Sequence, residues 1–187
     1  MRAMTALPAA TGLPAETALG TLDTPVGQLS VAVSGEGLCA LSWGTPSRLA
    51  ERYRLAADPD SGLAEPVLAE LSAYFRGEVR EFAAPVDWRL FGPVQRRVLG
   101  TLFETVRYGE SVTYGELAGR SGAGVPARGI GAIMGSNPLP VVVPCHRVLA
   151  ANGLGGYSGG SGPDGLAVKR WLLTLEGVLP PTLDWLT

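Results

Sequence analysis

The chain has 187 residues, 46% of them hydrophobic and 17% charged, with a formal net charge of −2. That length suits one large or two small domains with cores of their own, and no apolar run approaches the roughly 20 residues of a membrane span, so no membrane association is expected. Two cysteines, Cys39 and Cys145, exclude a disulfide framework and point to a reducing, cytoplasmic compartment.

The charge is uneven along the chain. Residues 1–87 carry 6 basic and 11 acidic side chains, and residues 88–178 carry 9 and 5. A net −5 against a net +4 assigns any polyanion-binding surface to the C-terminal half. Residues 1–16 lack a continuous signal-peptide core and are low in complexity, so a disordered extension is expected there.

From Leu22 to Trp43, Thr24-Pro25-Val26-Gly27 precedes alternating Leu29, Val31 and Val33. A Ser34-Gly35-Glu36-Gly37 turn then leads to Leu38, Ala40, Leu41 and Trp43, which predicts a β-hairpin with Cys39 as a small buried hydrophobe. Val67, Leu68, Leu71, Tyr74 and Phe75 recur at helical spacing, with Pro66 in the first turn and Gly77 where a left-handed cap is least strained. A helix over about 65–76 follows. The segment Phe82 to Asp87 reads as a domain boundary, giving an N-terminal sheet-and-helix domain over 17–87, a C-terminal domain over 88–178 and a tail over 179–187.

From Pro93 the pattern turns helical, with Val94, Val98, Leu102 and Phe103 near one face and an end near Tyr108-Gly109. Thr113 can cap a short helix holding Tyr114, Leu117 and Ala118. Ser121 to Gly124 makes a turn, and Pro126 opens another helix. In that second helix Ile130, Ile133 and Met134 face the core, while Arg128, Gly131 and Gly135 share another face. Interior glycines cost about 1 kcal/mol each relative to alanine, and either a closely approaching DNA groove or tight helix packing would compensate.

Then comes the stretch that carries chemistry, Pro140-Val141-Val142-Val143-Pro144-Cys145-His146-Arg147-Val148-Leu149. The three valines between prolines predict a short buried strand, with the cysteine just past its end. A thiol is only a few per cent ionised near neutrality, so a nucleophilic cysteine needs a base or cation nearby, and His146 and Arg147 are candidates. The glycines from Gly153 to Gly160, with Tyr157 and Ser158, make a loop in which backbone approaches a ligand closely. Lys169, Arg170, Trp171 and Glu176 fall in a terminal segment that also reads as an ordinary amphipathic helix with Leu172 and Leu175 in the core. Asn137-Pro138 is sufficiently explained as a helix stop.

Pro-Cys-His-Arg-Val followed by Gly-Gly-Tyr-Ser-Gly-Gly resembles the signature of the O6-alkylguanine-DNA alkyltransferases. The likeness extends through Tyr114-Gly115-Glu116-Leu117-Ala118, Arg128-Gly129-Ile130-Gly131, Asn137-Pro138 and Lys169 to Gly177. It implies an α/β chain with a ribonuclease H-like N-terminal domain and a winged-helix-like C-terminal domain containing a helix-turn-helix. The implied activity is transfer of an alkyl group from O6-alkylguanine in double-stranded DNA to Cys145, by a monomer that is consumed in the reaction.

The resemblance also assigns roles. Cys145 is the nucleophile, His146 takes its proton through a water, and Glu176 orients the histidine. Tyr114 and Lys169 neutralise the departing guanine. Arg128 fills the space of the flipped nucleotide, with Ala127, Gly131 and Gly135 on the DNA-facing helix and Tyr114 helping to rotate the phosphate. Asn137 is a hinge, and the backbones of Cys145 and Val148 with Tyr157 and Ser158 recognise the base. Flipping is required in any case, because a thiolate cannot reach a carbon on guanine O6 while the base is stacked.

Three departures stand out. The Gly153–Tyr157 loop is one residue short, 161–165 reads as an insertion, and Gly100 stands where tryptophan is common; the first two bear on alkyl-group preference. With Cys145 and His146 in the site, only Cys39 remains as a soft ligand, so neither a metal nor a cofactor is expected. The competing readings are a non-catalytic lesion-binding relative, a cysteine hydrolase and a helix-turn-helix regulator.

Overall fold

A computed structural model describes residues 17–55, 57–58, 62–160 and 165–181. The expected extension at 1–16, the inserted residues 161–164 and the tail beyond 181 lie outside the described residues.

The hairpin is present and is part of a larger meander. Strand β1 (Thr17–Thr24) pairs antiparallel with β2 (Gly27–Ser34), which pairs with β3 (Gly37–Trp43), and a short β4 (Ala57–Asp58) joins β1 in parallel. The additional strand, β1, is hard to read from sequence because Gly20 interrupts its apolar face. That glycine is required by packing: a Cβ there would lie 2.7 Å from Leu68 Cδ1 and 2.9 Å from Ala64 Cβ on the covering helix.

A register shift between Ala32 and Val33 makes Cys39 the extra residue of β3, which is why Leu38 and Leu41 share one face of the sheet. Leu29, Val31, Val33, Leu38 and Leu41 pack toward α2 (Glu65–Phe75) and the main core, while Ala32, Cys39 and Ala40 meet Leu49 of α1 (Pro46–Tyr53) on the opposite side. Helix α2 matches the predicted bounds within a residue, and Gly77 sits beyond it at φ +73°.

In the C-terminal half, α3 (Pro93–Thr105) packs with α4 (Tyr114–Ser121) and α5 (Ala127–Gly135). Thr113 caps α4 and forms a reciprocal capping box with Glu116. Pro126 is the N-cap of α5 rather than its first helical residue. Two corrections apply to α3. It ends at Thr105, not near Tyr108, because Val106 turns extended and is buried; and Val94 is 50% exposed, its place in the core being taken by Leu99.

Strand β5 (Val112–Thr113) pairs in parallel with β6 (Val148–Leu149), and α6 (Gly165–Leu175) closes the described fold. Leu172 is fully buried while Leu175 is half-buried against the core. No helix among the described residues is long and apolar enough to cross a membrane.

Val141, Val142 and Val143 are buried as expected but do not form a strand. Val141 adopts φ +76°, and the chain folds back so that Val143 N donates to Leu139 O at 2.8 Å. Asn137 builds this turn, its Nδ2 donating to Val143 O at 2.8 Å and its Oδ1 accepting from Leu139 N at 3.0 Å. The turn is docked on the N-terminal sheet, because Leu41 N on edge strand β3 donates to Pro138 O at 2.8 Å.

Candidate active site

The asparagine-built turn delivers Cys145 to the first position of a 3-10 turn, Cys145–Arg147, where its side chain is 6% exposed. Burial pushes the thiol above its ordinary range, while the Asn137 amide, the Lys169 charge and the backbone amides of Cys145 and His146 act against that. Cys145 therefore rests as a thiol and needs a base. Cys39 is buried on the far side of β3, its thiol pushed up to about 11 by burial and held against Ala32 O, so it is inert.

His146 is fully buried, with Nε2 2.8 Å from Glu176 Oε1. Burial lowers its proton affinity more than the Glu176 charge restores it, so the ring is neutral near pH 7. A carboxylate only accepts hydrogen bonds, which assigns the proton to Nε2 and leaves the lone pair on Nδ1. That Nδ1 is buried and has no protein partner. The only histidine of the chain thus has one ring nitrogen anchored and the other bare.

Glu176 collects donors from three residues on two parts of the fold, the 3-10 turn and α2. Oε1 accepts from His146 Nε2, from Arg147 Nη2 at 2.9 Å and from the Tyr74 hydroxyl at 2.6 Å, while Oε2 accepts from Arg147 Nε at 2.7 Å. Burial alone would raise its pKa, but His146 and Arg147 together hold the carboxyl down at about 2. Arg147 also donates to Val106 O at 2.7 Å. Its guanidinium serves the carboxylate rather than the thiol, which leaves His146 as the candidate activator of the two.

Lys169 is fully buried and spends its donors on two carbonyls, Val148 O at 2.6 Å and Gly156 O at 3.1 Å. It has no carboxylate partner among the described residues, and burial lowers its pKa to about 8 despite the pull of Cys145. Its ammonium lies 6.0 Å from the centre of the Tyr114 ring, and the Tyr114 hydroxyl donates to Gly156 O at 3.4 Å. Val148 contributes through its carbonyl, and its side chain is buried.

Cys145 opens onto a cavity of about 530 Å³. Helix α5 supplies one wall with Ala127, Arg128, Gly131, Met134 and Gly135; Tyr114 supplies another; Gly156, Tyr157 and Ser158 of the glycine-rich loop cover it. Arg128 is exposed at this cavity without an ion-pair partner among the described residues. A smaller pocket of about 140 Å³ also adjoins Cys145, where Asn137 and Pro140 meet Trp43 and Arg52 from the N-terminal half. Gly159 allows this closure: a Cβ there would lie 2.6 Å from Tyr157 Cζ and 2.7 Å from Trp43 Nε1.

The structure therefore gathers the expected residues into two groups, the buried His146–Glu176 pair with Cys145 next to it in the chain, and the cavity wall of Tyr114 and α5 onto which Cys145 opens; Lys169 bonds to the carbonyls of Val148 and Gly156. Three contributors are not visible as such in the sequence. Tyr74 lies 102 residues from its partner, Trp43 approaches only through the fold, and Arg147 reads as a neighbour of the thiol although it serves the carboxylate. A buried arginine demands a carboxylate, so Arg147 in an apolar stretch next to Cys145 and His146 is the one readable hint.

Two family models match in order along the chain: "6-O-methylguanine DNA methyltransferase, ribonuclease-like domain" over residues 18–88, and "6-O-methylguanine DNA methyltransferase, DNA binding domain" over residues 93–178. A methylated-DNA–protein-cysteine methyltransferase of Mycobacterium tuberculosis is 40% identical over 157 residues, 83% of this chain and 90% of the relative. The Homo sapiens protein of the same name is 37% identical over 171 residues, 84% of this chain and 79% of the relative. The crystal structure of the M. tuberculosis O6-methylguanine methyltransferase superposes with a TM-score of 0.68 at 36% identity, covering 92% of this chain and 99% of that one. The M. tuberculosis protein in complex with DNA superposes with a TM-score of 0.71 at 36% identity, covering 91% and 99%. With both halves of the chain matched in order and a relative 40% identical over 83% of it, the protein belongs to the methylated-DNA–protein-cysteine methyltransferase family.

Proposed function

We propose that this chain repairs O6-alkylguanine in double-stranded DNA by moving the alkyl group irreversibly to Cys145, one group per protein molecule. The observation that carries this reading is the neutral His146, anchored to Glu176 through Nε2 and bare at Nδ1, beside a buried thiol that opens onto a cavity.

In this reading the helix pair α4–α5 lies on DNA, and Arg128 takes the place of a nucleotide flipped into the cavity, with Ala127, Gly131 and Gly135 allowing close approach. Tyr157, Ser158 and the backbone near Cys145 and Val148 hold the base, and Asn137 hinges the reading helix to the nucleophile. The thiol proton passes through a water to His146 Nδ1, and the imidazolium is stabilised by Glu176. The sulfur then attacks the alkyl carbon in line, a C–S bond forms as the C–O6 bond breaks, and the electron pair stays on guanine. Lys169 and Tyr114 offset that developing charge. The product is a thioether, and no group in the site is equipped to cleave it.

Residues 17–87 form the domain that buttresses the site, residues 88–178 the DNA-binding and transfer domain, and the protein works as a cytoplasmic monomer. The lesion-binding alternative gives Cys145 and its relay no task. The test is stoichiometry: with lesion in excess, the amount of O6-methylguanine lost should equal the amount of protein and then stop. Continued turnover would favour a cysteine hydrolase, and binding without loss would favour a damage-recognition role.

A further inference from the structure

The N-terminal half reaches the catalytic line at one buried polar contact, the Tyr74 hydroxyl on Glu176 Oε1 at 2.6 Å. Tyr74 comes from α2, packs by its ring edge on Phe75 at 5.4 Å and tilts on Phe82 at 5.3 Å, and is fully buried. Those ring contacts would serve a phenylalanine equally well. A buried hydroxyl is costly without a partner, and this one donates to the oxygen that also anchors His146.

We propose that Tyr74 is a positioning residue for alkyl transfer: its hydrogen bond holds the Glu176 carboxylate so that His146 keeps its proton on Nε2 and presents a bare Nδ1 to the thiol. This rests on the relay described above.

Oε1 accepts three donors at 2.6, 2.8 and 2.9 Å, one more than its two lone-pair directions. Each donor makes the carboxylate a weaker base. Removing the hydroxyl leaves the same buried charge with fewer donors, so it pulls harder on the Nε2 proton and favours imidazolium over imidazole. A histidine protonated in advance cannot accept the thiol proton, so Tyr74 extends the pH range over which the base is available.

The other charged and titratable groups around this line are fixed by different elements. Arg147 faces Glu176 from the 3-10 turn, Tyr108 lies near it after α3 with its hydroxyl on Leu175 O at 2.9 Å, and Arg80 stands over the Tyr108 ring. Lys169 and Cys145 complete the surroundings of His146. Tyr74 itself is held well above the usual tyrosine range by burial and by Glu176, so it remains a donor throughout.

The experiment uses the full chain labelled with nitrogen-15 histidine. Because His146 is the only histidine, every ring signal belongs to it. In Tyr74→Phe the imidazole titration should move upward by about half to one pH unit, and the acid limb of the methyl-transfer rate should move with it. Tyr108→Phe loses a hydrogen bond to a backbone carbonyl but leaves the donors on Glu176 intact, so it should lower the melting temperature without moving the titration.

If Tyr74→Phe does not fold, fluorotyrosine at position 74, a stronger donor of nearly the same shape, should move the titration downward. Ring signals and acid limb that stay on the wild-type curves between about pH 5 and pH 8 overturn the proposal, as does an equal shift in Tyr108→Phe. The nuclear magnetic resonance arm needs no DNA, so a wild-type protein that fails to transfer methyl would refute the repair reading and leave the role of Tyr74 separately readable.

Discussion

Replacing Glu176 by glutamine probes the line from Arg147 through the carboxylate to His146 without changing its shape. Glutamine stands in for the protonated carboxyl, so the cost is that of protonating a group whose pKa falls from 4.5 to about 2. At about 1.4 kcal/mol per unit this is at most about 3–4 kcal/mol, since part of the depression comes from a His146 charge that is absent at neutral pH. The broken ion pair leads to the same figure, since removing one side of a buried pair costs about 3–5 kcal/mol and Arg147 would keep its charge with only Val106 O fully satisfied.

For a chain of this size, about 3 kcal/mol corresponds to a fall of roughly 6–12 °C in melting temperature. The sign with pH is fixed as well. The folded pKa is depressed, so this stabilisation is complete above about 4.5 and is lost as pH falls toward about 2; the gap between wild type and Glu176→Gln should therefore close in acid. The amide NH2 would also donate toward His146 Nε2 and favour the tautomer with its proton on Nδ1, cutting methyl transfer about a hundredfold or more. Calorimetry across pH together with single-turnover kinetics measures both effects. A melting temperature within about 2 °C of wild type at neutral pH, or a transfer rate within twofold, would mean that the carboxylate neither holds Arg147 nor sets the histidine tautomer.

Arg128→Ala should slow repair of duplex lesions about tenfold or more while leaving the slow reaction with free O6-methylguanine base unchanged, because only the duplex needs a flipped nucleotide; parallel rate measurements on the two substrates check this. Lys169 should make the wild-type rate decline as pH rises through about 8, where its ammonium discharges and the thiol loses a favourable neighbour. In Lys169→Met that decline should vanish along with about tenfold of the neutral rate, as a pH–rate profile would reveal. Gly159→Ala should drive Tyr157 and Trp43 apart and slow transfer even though Cys145 is untouched, and a rate equal to wild type would show that the loop yields at no cost.

Local patterns make much of this molecule legible. Thr113 before Tyr114, Pro66 and Gly77 around α2, and the alternating residues of β2 all act within a few residues, where capping and side-chain alternation decide the outcome. The nucleophile and its neighbour are readable because chemistry concentrates them in one short stretch. The valine run suggests a strand and forms none, because its burial comes from a turn tied by Asn137, and β-branched residues suit either environment when both are dry. Val94 has the right spacing for the core but lies in the first turn of α3, where the chain emerges from Gly92 into solvent. The helical spacing places Tyr74 on the core face of α2, but its bond to Glu176 has no local signal, because that contact exists only once the two halves of the chain have packed together.

Repair by this route leaves a covalent bond on one sulfur, and the mass of the intact protein reads it directly. After incubation with a duplex carrying one O6-methylguanine, the chain should gain the mass of one methyl group, located on the peptide containing Cys145, with Cys145→Ser unchanged in mass. A lesion that disappears while the protein mass stays constant, or a methyl group found on Cys39, would show that Cys145 is not the acceptor.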